Sequence, residues 1–171
     1  MNGTRMKGAV AIVAFAGMAF GASALQAQSG SGHEVDVAKA QRYEAAAERV
    51  GNTMEFFDEA ARYWEAAASL RPEGDCQAVQ DMVNASRLKF YLGNKGKAQS
   101  LLQDAGEIAI AYGDVGTAAR VFLDAAWIAR TRGQATVVQN LLSKAQKLAQ
   151  SPLLEESQRD ALLARIAADA D

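Results

Sequence analysis

The sequence predicts an all-α, antiparallel helix-hairpin solenoid of about seven helices, the last of them a C-terminal cap. Three observations predict it. The first is a repeat: Gly93, Gly113 and Gly133 stand 20 residues apart, and so do Ala98, Ala118 and Val138, Leu102, Phe122 and Leu142, and Ala105, Ala125 and Ala145. Each unit reads as a glycine turn followed by one amphipathic helix, which cannot bury its apolar face alone and must stack on its neighbours. The second is composition. Half of the 171 residues are hydrophobic, but Ala dominates, aromatics are few, and the only prolines are Pro72 and Pro152. That mixture favours close-packed helices over a sheet. The third is the shortness of the connections, which fits a closed antiparallel bundle as well as a solenoid; the fixed repeat favours the solenoid.

Residues 1–27 carry the layout of an export signal. Arg5 and Lys7 give a positive start, no acid precedes Glu34, and an apolar run extends from Ala9 to Phe20. Small residues follow, and cleavage is expected after Ala24 or Ala27. The other reading is an uncleaved anchor, but 12 uninterrupted apolar residues are short of the roughly 20 a spanning helix needs. No membrane span is therefore expected after cleavage, and the protein is expected to be periplasmic or secreted. Residues 28–34 form a Gly/Ser-containing flexible leader, and 35–171 the helical repeat domain.

The first helix is expected over Val35–Val50, with Ala38, Ala45, Ala46 and Val50 facing inward, Tyr43 at the edge, and Gly51-Asn52 ending it. Asn52 and Glu55 stand in capping-box relation, which predicts a second helix from Thr53 to about Leu70. Its apolar face is Phe57, Ala60, Ala61, Trp64, Ala67 and Ala68; Asp58, Arg62, Glu65 and Ser69 lie opposite. Pro72 and Gly74 close that unit, and Asp75 caps a third helix. Ala78, Met82, Ala85 and Leu92 repeat the later pattern 20 residues early. Helices follow over about Gly96–Ala111, Val115–Thr131 (capped by Asp114) and Ala135–Ala149. Ser151-Pro152 is expected to start the last helix, with Pro in its first turn and Glu155 and Glu156 beside the helix dipole. That helix, to about Ala168, buries Leu154, Leu162, Leu163 and Ile166 and turns Glu156, Arg159, Asp160, Arg165 and Asp169 outward, as a cap should.

Without Arg5 and Lys7, the 18 basic residues become 16 against 20 acids, net −4, with the two signs interspersed and no basic run. Nucleic acid is excluded as a partner on that ground. One cysteine, Cys76, permits no internal disulfide. It is expected to be a small buried residue; a thiolate favoured by the nearby helix start and an intermolecular disulfide are the alternatives.

Ala60, Trp64, Ala67 and Pro72 carry a family likeness. A small residue, an aromatic four on, Ala three further and Pro five further resembles the second helix of a tetratricopeptide repeat. Ala118, Phe122 and Ala125 after Gly113-Asp114, and Val138, Leu142 and Ala145 after Gly133-Gln134, echo it. The resemblance covers about Val37 to Pro152. Two units take 40 residues here against about 34 in that family, and its Leu-Gly pair and first-helix Tyr are not cleanly present, so the chain resembles a divergent member with longer helices. The resemblance implies a protein-interaction scaffold in which the first helix of each pair lines a concave groove that holds a peptide or partner segment.

On the fifth helix, Trp127 lies nine residues from Ala118, half a circle away at 100° per residue. It shares its face with Arg120, Asp124 and Thr131. An exposed Trp among polar groups marks a contact site, unless a neighbouring helix covers it. The 40-residue pair repeat maps Trp127 onto Arg87, Asp124 onto Asn84 and Arg130 onto Phe90. Asn84, Arg87, Tyr91, Asp124, Trp127 and Arg130 are thus the candidate partner-binding residues, the alternative being an ordinary solvated face.

No catalytic, cofactor-binding or metal-ligating residues emerge. His33 is the only His and lies in the leader, so no His/Cys metal cluster or Ser-His-Asp set can be built. The glycines have turn spacing rather than phosphate-loop spacing. Glu155-Glu156 and Asp58-Glu59 are read as solvated helix charges, with a carboxylate hydrolase as the remote alternative. The expected function is an exported scaffold for a protein or peptide partner in the cell envelope. A self-associating structural module and a helical carrier of a small apolar ligand are the alternatives.

Overall fold

A computed structural model describes residues 34–170. The export signal expected over residues 1–27, its cleavage points and the leader up to His33 lie outside them. The described chain is all-α, an antiparallel array of helical hairpins. α1 is helical over residues 34–50. A short 3-10 turn, Met54–Phe56, leads into α2 (Phe57–Leu70); then come α3 (Cys76–Tyr91), α4 (Lys95–Ala111), α5 (Val115–Thr131), α6 (Ala135–Ala149) and α7 (Glu156–Ala170). From α2 to α6 each helix packs on its neighbours in sequence, and α7 rests on both α6 and α5. Among the described residues no helix is long and apolar enough to cross a membrane.

The 20-residue repeat has a local cause at its turns. Gly93, Gly113 and Gly133 sit at φ 78°, 90° and 70°, a left-handed conformation open to Gly at no steric cost. At each, the Gly N–H donates to the carbonyl three residues back and the next N–H donates five residues back. Gly93 reaches Phe90 at 2.9 Å and Asn94 reaches Lys89 at 2.9 Å; Gly113–Ile110, Asp114–Ala109, Gly133–Arg130 and Gln134–Ala129 repeat the pair. This is the Schellman ending, and it satisfies carbonyls the helix leaves open. The residue after the glycine then starts the next helix. The Asn94 side chain accepts from the Lys97 N–H at 3.2 Å and Asp114 from the Thr117 N–H at 2.9 Å. One Gly-Asn or Gly-Asp dipeptide thereby ends one helix and caps the next, and the hairpin closes in three residues.

The packing follows the repeat. Ala98, Ala105, Ala118, Ala125 and Ala145 are fully buried, with Val138 nearly so. Such small residues let backbones approach, while Phe122 and Leu123 fill the remaining space. The closest approach is at Gly106 on α4: a Cβ there would lie 2.7 Å from Phe122 Cζ. A separate cluster joins the first helices, with Ala47, Trp64, Ala85 and Leu101 from α1 to α4. Buried Ser86 Oγ donates to the Ala98 carbonyl at 2.9 Å and ties α3 to α4.

Several expectations are corrected. α1 buries Ala40 and Ala47, whereas Ala38 and Ala45 are exposed. The helix carries Ala on more than one side, so its inward face is set by where α2 docks rather than by its own pattern. Asn52 does not cap α2: its amide donates to the Glu48 carbonyl at 3.3 Å, and a 3-10 turn without a side-chain cap takes the place of the expected first turn. Ser151-Pro152 does not begin α7. Residues 151–155 form a turn in which the Ser151 carbonyl and hydroxyl accept from the Leu154 and Leu153 N–H groups, both at 3.3 Å. This turn delivers Leu154 into the core. Leu92 is exposed at the end of α3. Cys76 is exposed on the first turn of α3.

One feature has no precursor in the sequence pattern: a buried ionic cluster where α1 meets the α2–α3 turn. Pro72 restricts Arg71 to extended backbone, and α2 ends there. Gly74 at φ 86° completes the turn, and Asp75 caps α3 by accepting from the Gln77 N–H at 2.9 Å. The Arg71 guanidinium is thereby turned inward, where it binds Glu44 of α1, meets Asp75 at 3.0 Å and faces Asp81 at 3.8 Å. Burial opposes its charge, but Glu44 and Asp75 outweigh that and hold its pKa above the ordinary value. Asp81 is fully buried and accepts from Gln77 Nε2 at 3.2 Å, but its second oxygen has no hydrogen-bond donor. Burial pushes its carboxyl up from 3.8 to about 6, against the opposing pull of Gln77.

A raised value means that the folded state binds the proton more tightly than the unfolded chain. The contribution of Asp81 is thus fully favourable below pH ~4 and is lost as pH rises through about 6. Asp81→Asn is expected to stabilise the protein by about 1–3 kcal/mol at pH 7.5 and by much less at pH 4.5. Urea unfolding at the two pH values measures this; an equal change at both would remove the buried carboxylate as its cause. Asp58 titrates in the opposite sense, because Lys89 at 2.6 Å, with Arg62, holds its carboxyl below the ordinary value. Its stabilising effect is lost as pH falls, so the Asn variant is needed to isolate Asp81.

Candidate functional site

α3 and α5 run on the same side of the array, and their polar edges meet across a groove. Arg87 and Tyr91 stand one turn apart on α3, and Asp124 and Trp127 three residues apart on α5, which places each pair on one helix face. All four line a hollow of about 420 Å³, within the ~300–1,000 Å³ typical of ligand pockets. Its floor is apolar, with Val83, Leu102 and Ile128. Arg165 of α7 closes one end and binds Asp124 at 2.5 Å.

Trp127 is 47% exposed. Its ring meets Phe90 at a centroid distance of 5.1 Å with the planes tilted by 46°. Phe90 meets Tyr91 edge-on at 6.4 Å, and Tyr91 meets Phe57 of α2 at 6.1 Å. Four aromatic rings thus form a continuous ridged wall, in which Tyr91 is 67% exposed. Arg87 is exposed and has no carboxylate within ion-pair distance among the described residues. Lys95, outside the hollow, sits 5.8 Å over the Phe90 ring.

Two of the six candidate residues lie apart from this hollow. Asn84 lies on the other flank of α3, in a hollow towards α1 that also touches Arg87 and Tyr91, and its side chain accepts from Gln80 at 3.0 Å. Arg130 lines a separate hollow with Gln134, Val138 and Leu142, 4.0 Å from Asp169. Sequence mapping missed Phe90 and Arg165. Phe90 had a signal, because the 40-residue shift pairs it with Arg130. Arg165 had none; a charged residue on a terminal helix reads as outward, yet Arg165 and Asp169 turn to Asp124 and Arg130 on α5.

Among the described residues no group of three or more His, Cys, Asp or Glu is arranged to hold a metal ion. Glu59 accepts from the Tyr63 hydroxyl at 2.8 Å, which pushes that phenol's pKa up, and Asp58 joins Arg62 and Lys89.

The described chain is an all-α helical-hairpin solenoid with an aromatic-walled groove on one side that carries Arg87 and the Asp124–Arg165 pair. Comparison with protein-family models, with curated proteins and with solved structures finds no match.

Proposed function

We propose that this chain is an exported, tetratricopeptide-like scaffold that holds a segment of a partner protein of the cell envelope in the groove between α3 and α5. The observation that supports this most is the half-exposed Trp127 leaning on Phe90 beside Arg87, an arginine with no carboxylate partner among the described residues. Trp and Arg are the residue types that dominate binding energy at protein interfaces. Leaving them uncovered on the chain itself costs apolar exposure that a partner would remove. The export reading rests on the positive start, apolar run and small residues of the first 27 positions.

Both residues are on the surface, so their removal should leave the fold intact. The Arg87→Ala, Trp127→Ala double variant is expected to keep its unfolding midpoint while losing about 2–4 kcal/mol of partner affinity, roughly thirtyfold or more. Capture from envelope extracts, compared with wild type at matched folding, measures it. Unchanged capture would take the groove out of the interaction.

Self-association is the second reading. Met54 at 65% and Leu153 at 72% exposure are large apolar side chains left in water. Solution mass against concentration separates the two: a monomer at all concentrations disposes of self-assembly.

A further inference from the structure

α1 is held to the rest of the chain by few contacts. Its two buried apolar side chains, Ala40 and Ala47, are each a single methyl, and Tyr43 stacks on Tyr63 of α2 at a centroid distance of 6.0 Å. Among the described residues, its one ion pair to another part of the chain joins Glu44 to Arg71. α1 leads into α2 through Gly51 and a 3-10 turn that no side chain caps. The Arg71 guanidinium cannot serve all three carboxylates around it. Nη2 goes to Glu44 and Nη1 to Asp75, which leaves Nε facing the second oxygen of Asp81 at 3.8 Å, beyond hydrogen-bond reach. Both of these atoms are buried, and neither has a hydrogen-bond partner. Asp81 is thus the carboxylate that the one cation leaves unserved.

The charges facing Asp81 come from three elements: Glu44 from α1, Arg71 from the end of α2 and Asp75 from the turn after it. From α4, Tyr112 stands by Gly74 and Asp75. Lys89, about two turns further along α3, is engaged by Asp58 and Glu65. Burial raises the proton affinity of Asp81 most, and the Glu44 carboxylate raises it further, against the pull of Gln77 and Arg71. Glu44 belongs to α1, whereas Gln77 and Arg71 stay in place when α1 leaves. Docked α1 therefore makes Asp81 a weaker acid, and by linkage a proton on Asp81 strengthens docking by the same factor.

We propose that α1 is a latch operated by a proton at the Glu44–Arg71–Asp81 junction: it docks firmly while Asp81 is protonated and loosens when Asp81 ionises, uncovering the seat of Ala47 against Trp64. The hold is complete below pH ~4 and weakens as pH rises through about 6. Release reaches the groove as well. Ala47, Glu48 and Asn52 on the α1 side face Asn84, Arg87 and Tyr91 across a hollow of about 530 Å³, so the departure of α1 removes a wall beside two of the groove residues. The latch does not depend on what occupies the groove.

Amide hydrogen exchange of the full chain measures how often α1 opens, read by mass spectrometry at pH 5 and pH 7.5 and corrected for the intrinsic pH dependence of exchange. Residues 34–50 are expected to be less protected than α5 at both pH values. Their protection is expected to fall by about tenfold or more at the higher pH, the factor that a tenfold change in Asp81 proton affinity on docking carries. Asp81→Asn should hold α1 at pH 7.5 as firmly as the wild type does at pH 5, and abolish the pH effect. Glu44→Gln should loosen α1 at both pH values and shrink the effect. Equal protection of residues 34–50 at the two pH values overturns the inference, as does a fall that persists in Asp81→Asn. Protection that matches α5 at both pH values also overturns it, because α1 would then open only with the whole chain.

Discussion

Replacing Phe122 with Ala is expected to cost about 3–5 kcal/mol of folding stability, the range for emptying a fully buried aromatic position. The ring is wholly buried, lies at the centre of the cluster that joins α3 to α7, and rests on the α4 backbone at Gly106. A total stability of about 5–15 kcal/mol leaves little after such a loss. Gly106 sharpens the test. Gly106→Ala alone gains about 1 kcal/mol of helix propensity but drives a methyl into the Phe122 ring, an overpacking of about 1–3 kcal/mol. In the Phe122→Ala background the clash is gone and only the gain remains. The same Gly106→Ala change should therefore improve by at least about 1 kcal/mol between the two backgrounds. Urea denaturation of the four proteins measures the cycle. Additive changes would mean that the two helices do not meet at this point.

Arg71→Ala is expected to cost about 2–4 kcal/mol, because it strands the buried Asp81 and the part-buried Glu44 and Asp75 rather than because the ion pairs are strong. Glu44, Asp75 and Asp81 remain around the vacated space, Asp81 fully buried and the other two part-buried. The loss should shrink as pH falls below about 6 and the Asp81 carboxyl takes up its proton. Arg71→Lys should recover only part of it, since an ammonium cannot fork between Glu44 and Asp75. Chemical denaturation at pH 7.5 and pH 4.5 reads both effects. A loss below about 1 kcal/mol would show that the surrounding carboxylates are hydrated or protonated already.

The two sites differ in how visible they are in one dimension. Phe122 stands in a column with Leu102 and Leu142, flanked by alanines at helical spacing, so its burial follows from the repeat. Arg71 and Asp81 read as ordinary helix-end charges; nothing in their spacing announces Glu44, 27 residues upstream of Arg71. The groove is intermediate. The 40-residue shift sends Trp127 to Arg87, and the two do line one hollow. The same shift carried Asn84 and Arg130 along, and they lie on other flanks. A helix face spans more than one groove when neighbours pack on both sides, and periodicity alone does not separate them.

Local residue patterning dictates that the chain is helical, where most helices turn, and which column of small residues lies inward. Those properties are local: a glycine in left-handed φ, an Asn or Asp that caps the next helix, and a 3.6-residue period each act within a few residues. Long-range docking of the helices sets which side of alanine-rich α1 is buried, that residues 151–155 form a turn serving Leu154, that Arg165 reaches across to Asp124, and that Arg71 gathers three carboxylates. Each of these depends on a partner far along the chain. Such a pairing is set by how the helices dock, because burial and charge compensation are properties of the assembled surface and not of the segment that contributes to it.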